Sequence, residues 1–210
     1  ELLLRRAATG PLPPVVLITG NEPLVVQECA DAIRARARAE AYGEREVLDA
    51  DASFDWNRLT QGLASLSLFA TRRLFDLRLP SGKPGKEGSE AIRDYCANPP
   101  PDTVLLITGL DWSRQHAGKW SEAISATGWF VPVWPLKLQE LPDWLAVRLR
   151  RHGLTAQPEA LERLVERVEG NLLAAAQEVD KLGLLLGANA PLIDVDTLER
   201  IEIIRDLRLG

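Results

Sequence analysis

The stretch Val15-Val16-Leu17-Ile18-Thr19-Gly20, followed three residues later by Pro23, constrains the fold more than any other part of the chain. An unbroken run of apolar, mostly β-branched residues offers no polar side to water. It therefore predicts a strand buried on both faces. Pro23 suits a first helical turn, where its missing amide hydrogen costs nothing, and Leu24, Val25, Cys29, Ala32 and Ile33 mark an inward helix face running on towards Tyr42 and Gly43. Strand, glycine turn and helix in immediate succession predict a parallel α/β layer.

The same pattern continues. Glu46–Asp49 reads as a second strand, and Asp55 as the N-cap of a helix from Trp56 to Leu66. Leu74 to Leu79 alternates, with Phe75, Leu77 and Leu79 on one face and Asp76 and Arg78 on the other. Thr103-Val104-Leu105-Leu106-Ile107-Thr108 is another fully buried strand after the turn Asn98-Pro99-Pro100-Pro101-Asp102. Ser113 heads a helical segment to Ala126, and Trp129–Val133 is a last strand whose Pro132 suits a sheet edge. The α/β domain is expected to span residues 1–134.

From Pro135 the pattern is helical only. Pro142 opens a helix to His152 that Gly153 stops, Pro158 opens a second that closes at Gly170, and Asn171 caps a third from Leu172 to Leu186. Leu172, Ala175, Ala176, Val179, Leu182 and Leu186 face inward on the third, and Asp194 starts a fourth. Residues 135–210 are expected to form a small all-α domain, marginal on its own by size.

A net charge of −5 over 210 residues argues against a protein that grips nucleic acid by long-range charge. Arg34, Arg36 and Arg38 are the best local basic evidence, but every-second spacing splays them around a helix, as on a solvated face. Cys29 and Cys96 stand far apart without a CxxC, which supports neither a disulfide framework nor a zinc site and fits a reduced, cytoplasmic chain. No apolar run reaches the roughly 18 to 20 residues that span a membrane. His116 and His152 read as surface histidines, and the six tryptophans as packing residues rather than a stacking platform.

The turn after the first strand is where a phosphate-binding loop would lie. In GxxxxGK[ST] the glycines admit phosphates, the lysine neutralises them and the hydroxyl holds magnesium. Gly20-Asn21-Glu22-Pro23-Leu24-Val25-Val26-Gln27 keeps only the first glycine. Val25 replaces the second, Val26 the lysine and Gln27 the hydroxyl residue, so tight binding of a magnesium nucleotide has no source. The strand ending Thr108-Gly109-Leu110 also lacks the terminal carboxylates an ATPase needs there. Ser81-Gly82-Lys83-Pro84-Gly85-Lys86-Glu87-Gly88 fails the same test, with Ser81 at the glycine position and Pro84 removing a donor, and reads as a flexible solvated hairpin before a helix from Ser89 to Ala97.

Ser65-Leu66-Ser67-Leu68-Phe69-Ala70-Thr71-Arg72-Arg73 fits no single period. Leu59, Leu63 and Leu66 define a helix stripe that would continue to Ala70, leaving Leu68 opposite it and Phe69 well off it. Two accounts remain open on the residues alone: a helix end whose large side chains tuck into the local core, or an apolar wedge for a partner.

An α/β domain with a loop at the nucleotide position, followed by a helical lid, resembles the AAA+ plan. Leu17 to Glu28, Ser67-Leu68-Phe69-Ala70, Leu141-Pro142-Asp143-Trp144-Leu145 and Glu169 to Gln177 together resemble, in order, the delta-subunit family of the bacterial DNA polymerase III clamp loader. The resemblance implies a non-hydrolysing member with no catalysis and no cofactor of its own. Leu173 stands where active relatives carry a lid arginine, and Ala123 to Trp134 lacks their Ser-Arg-Cys pattern. It also implies that Leu68 and Phe69 enter a pocket of the β sliding clamp, with Ser67, Ala70 and Thr71 shaping the segment and Arg72 and Arg73 as rim charges. The implied partners are the clamp, the gamma/tau and delta-prime subunits of a heteropentamer, and primer-template DNA within it, in the bacterial cytoplasm and away from any membrane. The family's C-terminal collar domain has no counterpart here, so a truncated chain is expected. A divergent P-loop NTPase is the alternative.

Overall fold

The computed structural model describes residues 10–64, 72–187 and 192–201, arranged in two compact units, 1–135 and 136–210. The first unit is a parallel sheet of five strands, β1 (Val15–Gly20), β2 (Glu44–Asp49), β3 (Arg73–Leu79), β4 (Thr103–Gly109) and β5 (Trp129–Val133), in the order β2-β3-β4-β1-β5. Its helices are α1 (Pro23–Ala39), α2 (Asn57–Ala64), α3 (Gly85–Ala97) and α4 (Lys119–Thr127).

The strand order explains the layers. From β1 the chain crosses to the far edge and then returns strand by strand through β4 and over to β5, so its direction reverses once. Right-handed crossovers then put α1 alone on one face and α2, α3 and α4 on the other. Val16, Ile18, Leu74, Val104 and Leu106 pack under α1, whereas Val15, Leu17, Phe75, Leu77, Leu105 and Ile107 pack under α2, α3 and α4. Successive residues of β1 and β4 thus enter opposite cores, which is why both strands are continuously apolar. Pro132 lies on the edge strand β5, where its missing donor is harmless.

Several expectations need correction. The inward face of α1 is Val26, Cys29, Ala30, Ile33, Arg34 and Ala37, with Leu24, Val25 and Ala32 only half-buried, and the helix ends at Ala39 rather than near Tyr42. Asp76 alternates as expected but is fully buried, because β3 is covered on both faces. The Ser81–Gly88 stretch is a short turn running into a helix, with Gly82 and Gly88 buried and Gly85 exposed. Gly82 donates to the Leu79 carbonyl at 2.9 Å, a side chain at Gly82 would strike the Asp111 carbonyl, and α3 begins at Gly85. The helix expected from Ser113 is a 3₁₀ turn, Arg114–His116, followed by α4. His116 is buried, its Nδ1 lying 3.2 Å from the Asp111 carbonyl, and its ring contacts Trp112 edge-on. Trp112 and Trp120 are core residues, but Trp134 is exposed.

The second unit contains α5 (Leu141–Arg151), α6 (Pro158–Val168) and α7 (Leu172–Leu186). Asn171 caps α7 by accepting from the Ala174 amide at 3.0 Å, and Gly153 and Gly170 adopt the left-handed conformation where α5 and α6 have ended. Leu145, Leu149, Leu164, Ala175 and Val179 meet in its core. Asp194 accepts from the Thr197 amide at 2.8 Å at the start of a further helical stretch, 195–201.

Candidate functional site

Two places in the α/β unit are candidates. The first, the turn after β1, lies at the edge where strands end. The second is residues 65–71, which follow α2 and precede β3 in the chain.

At the first place the chain turns in two residues. Gly20 is required by the sheet itself, since a Cβ there would come within 1.9 Å of the Val133 carbonyl oxygen on the neighbouring strand. Asn21 Oδ1 accepts from the Trp112 amide at 3.0 Å, which ties the turn to the segment after β4. The Glu22 carbonyl already accepts the first helical bond, from Val26 at 3.1 Å, and Pro23 contributes no donor. No loop is left to wrap a phosphate.

The side chains repeat the message. Val26, at the lysine position, is 2 % exposed and belongs to the core under α1, and Val25 packs beside it. Gln27 points outward and donates to Asp31 at 3.1 Å. Burial raises the Glu22 carboxyl above its ordinary value, yet it remains an acid at a helix N-terminus where a phosphate site needs a cation. Strand β3 ends in Leu79-Pro80 and β4 in Gly109-Leu110, so neither presents a carboxylate. A cleft of about 310 Å³ between α1 and these strand ends is lined by Val26, Gln27, Arg34, Arg78, Thr108 and Leu110 among others. Buried Thr19 Oγ1, one strand away, has no hydrogen-bond partner among the described residues. No cluster of three or more His, Cys, Asp or Glu suited to a metal occurs among the described residues.

At the second place, Ser67, Leu68, Phe69, Ala70 and Thr71 lie outside the described residues; the two flanks do not. On the near side, Asp55 Oδ1 accepts from the Asn57 amide at 2.9 Å, starting α2, and Leu59 and Leu63 pack on the core. On the far side, Arg73 is buried rather than a rim charge, whereas Arg72 is partly exposed. Arg72 donates to Asp102 Oδ1 at 3.0 Å and to the Glu40 carbonyl at 2.7 Å, and its guanidinium lies 5.0 Å from the Tyr42 ring. Arg73 is 8 % exposed, donates to the Gly62 carbonyl at 3.0 Å and the Leu63 carbonyl at 3.4 Å, and lies over Phe75. A spacing argument could not find this, because it depends on residues 62 and 73 meeting in space.

Sequence reasoning also missed the buried pairing of Asp76 with Arg34 and Arg45. Arg34 is therefore buried rather than on the solvated face expected for it. In the helical unit Leu173 is 54 % exposed in the first turn of α7. Among the described residues no helix is long and apolar enough to cross a membrane.

Comparison with known proteins gives a consistent result. Residues 16–129 match the family described as "DNA polymerase III, delta subunit". The chain is 31 % identical over 183 residues to DNA polymerase III subunit delta of Escherichia coli strain K12, covering 87 % of this chain and 53 % of that protein. It is 27 % identical over 191 residues to the subunit of the same name from Bacillus subtilis strain 168, covering 85 % and 54 %. The chain thus spans about half the length of the curated relatives it matches. Among solved structures, the Bacillus subtilis DNA clamp loader delta protein superposes with a TM-score of 0.71 at 22 % identity, over 94 % of this chain and 60 % of that one. The Thermotoga maritima RuvB branch migration motor has the same fold at a TM-score of 0.54 and 16 % identity, over 96 % and 66 %.

Proposed function

The chain belongs to the DNA polymerase III delta-subunit family, and from that premise we propose that it binds the β sliding clamp through Leu68 and Phe69 and holds the ring interface open for loading onto primed DNA. Ser67, Ala70 and Thr71 shape the contact. The gamma/tau and delta-prime subunits and primer-template DNA are the further partners in the assembled loader, in the bacterial cytoplasm. The chain hydrolyses no ATP itself.

The observation that carries this reading is the burial of Val26. The position that brings a lysine to phosphate in an active loop belongs here to the core, on the inward face of a helix that starts before the loop could form. A chain with the architecture of an ATPase and without its charge or metal ligands acts through a surface. To open a ring, that surface must bind the open form better than the closed one, since equal affinity shifts nothing. Two desolvated anchors of this size contribute about 2 kcal/mol each.

The test is β clamp binding by the Leu68→Ala/Phe69→Ala variant beside the parent. A loss on the order of a hundredfold or more, with an unchanged circular dichroism spectrum, is expected. Equal affinity overturns the wedge, and a variant that fails to fold identifies both side chains as core residues.

A further inference from the structure

The imidazole of His116 is buried in the segment after β4, edge-on to Trp112. Its Nδ1 meets two backbone groups of opposite kind, the Ser113 amide at 3.3 Å and the Asp111 carbonyl at 3.2 Å. One ring nitrogen cannot serve both. Bare, Nδ1 accepts from Ser113; carrying a proton, it donates to Asp111 and leaves the Ser113 amide without that partner. Ser113 is the N-cap of the 3₁₀ turn Arg114–His116, so the ring stands where a capping box has a Glu or Gln side chain. A Gln accepts there at any pH. A histidine accepts only while that nitrogen is bare. The surroundings are tight: a Cβ on Gly82 would fall 1.7 Å from the Asp111 carbonyl oxygen and 3.3 Å from Nδ1, and the His116 carbonyl accepts from Trp120 Nε1 at 3.1 Å. Between the two rival groups sits Trp112, whose amide donates to Asn21 in the turn after β1. The charged side chains on the elements around the ring are Asp111 and Arg114 on its own segment, Lys83 beside Gly82, and Lys119 and Glu122 in the first turn of α4, all exposed, with half-buried Glu22 beside Asn21.

We propose that His116 is a proton-operated latch at the edge of the sheet where the strands end. With the ring neutral and its one proton on Nε2, the Ser113 amide donates to Nδ1 and the 3₁₀ turn is capped. A proton taken from solvent adds at Nδ1, giving the imidazolium. The bond then passes to the Asp111 carbonyl, on the other side of Trp112, and the cap opens. The hold on the turn after β1 follows, because the tie to Asn21 starts from the residue between the two rivals. The latch needs neither nucleotide nor clamp, so it stands apart from the clamp-binding reading.

The experiment is NMR of the nitrogen-15-labelled chain across about pH 5 to 8. The chain has two histidines, and His152→Asn leaves His116 alone in the imidazole spectrum. Ring nitrogen shifts report which nitrogens carry protons. Hydrogen exchange at the Ser113 and Trp112 amides, taken relative to unstructured rates, reports the cap and the tie. A bare Nδ1 is expected in the neutral ring. On protonation, protection is expected to fall about tenfold at Ser113 and by less at Trp112, with the midpoint of the ring's own titration. In His116→Gln both amides should keep their protection throughout. A neutral ring with its proton on Nδ1, protection at either amide that ignores the ring's titration, or a Gln variant that loses protection as the parent does overturns the proposal. So does a ring that stays neutral until the chain unfolds. If His116→Gln does not fold, the tautomer of the neutral ring and the coincidence of midpoints in the parent decide.

Discussion

Arg34 on α1 and Asp76 on β3 meet through two hydrogen bonds, Nε to Oδ2 at 2.8 Å and Nη2 to Oδ1 at 3.2 Å, with both side chains buried. The pairing is fork to fork, the geometry in which guanidinium and carboxylate bind most strongly. Arg45 on β2 donates to the same carboxylate from the other side, at 2.9 Å through Nε, and Asp31 accepts from Arg34 at 2.8 Å. One carboxylate on β3 thus ties the edge strand and the lone helix of its face to the middle of the sheet.

Asp76→Asn removes the charge and keeps the shape, leaving buried Arg34 with only the exposed Asp31 carboxylate as counter-ion. A loss of about 3 to 5 kcal/mol in unfolding free energy is expected. Burial pushes the Asp76 carboxyl up, but hydrogen bonds from Arg34 and Arg45 outweigh it and hold the group below the usual carboxylate range. A group whose folded-state pKa is depressed contributes fully above its unfolded value, near 4, and that contribution is lost as pH falls through the folded value. Urea unfolding between about pH 7 and pH 3 should therefore show a steeper acid loss for the parent than for the variant. Parallel profiles would show that the ion pair does not supply the stability.

Gly20→Ala separates a glycine kept for the sheet from one kept for a phosphate. Its new methyl would lie 1.9 Å from the Val133 carbonyl oxygen, a backbone atom that cannot swing aside. Forcing β1 and β5 apart should cost about 1 to 3 kcal/mol in chemical denaturation. A neutral substitution would mean that β5 is loosely held.

Much of this fold was legible because its signals are local. The run Val15–Gly20, the strand Trp129–Val133 and the Asn171 cap each depend on residues within a few positions, and each lies where its sequence pattern put it. The turn from Gly20 to Gln27 was readable for the same reason. Asp76 shows where such reading stops: alternation placed it opposite Phe75 and Leu77, but only the strand order reveals that the opposite face is covered too. The order in Ser81–Gly88 comes from Asp111 across a turn, and the role of Arg73 comes from carbonyls ten and eleven residues behind it. These are long-range meetings that no period encodes.

The buried cysteines offer an independent check on the core. Burial pushes the Cys96 thiol up to about 11, against a small opposing hydrogen bond from Thr127, and burial likewise raises Cys29. A group with a raised folded-state pKa contributes stability below its unfolded value, near 8.5 for a thiol, and loses it as pH rises through the folded value. Both thiols should react slowly with a disulfide reagent near pH 8 in the native chain and rapidly in denaturant. Cys96→Ala should decline less steeply than the parent as pH rises from about 8.5 towards 11. Fast native labelling would contradict the burial of these side chains.

Restoring residue types should not restore chemistry. Val26→Lys/Gln27→Thr returns the lysine and the hydroxyl to their places in the motif, but the lysine then starts from a position 2 % exposed on the inward face of α1. Burying an unpaired ammonium there should destabilise the chain by on the order of 3 kcal/mol or more, unless the side chain escapes by distorting the helix. The helix begins at Pro23, and the turn has already committed the Glu22 carbonyl. Titration with a fluorescent ATP analogue is therefore expected to show no magnesium-dependent binding in the micromolar range for the parent or the double variant. Binding by the parent would establish a working nucleotide site despite the missing lysine. Binding by the variant alone would show that the backbone still forms a phosphate cradle and that only the side chains had been lost.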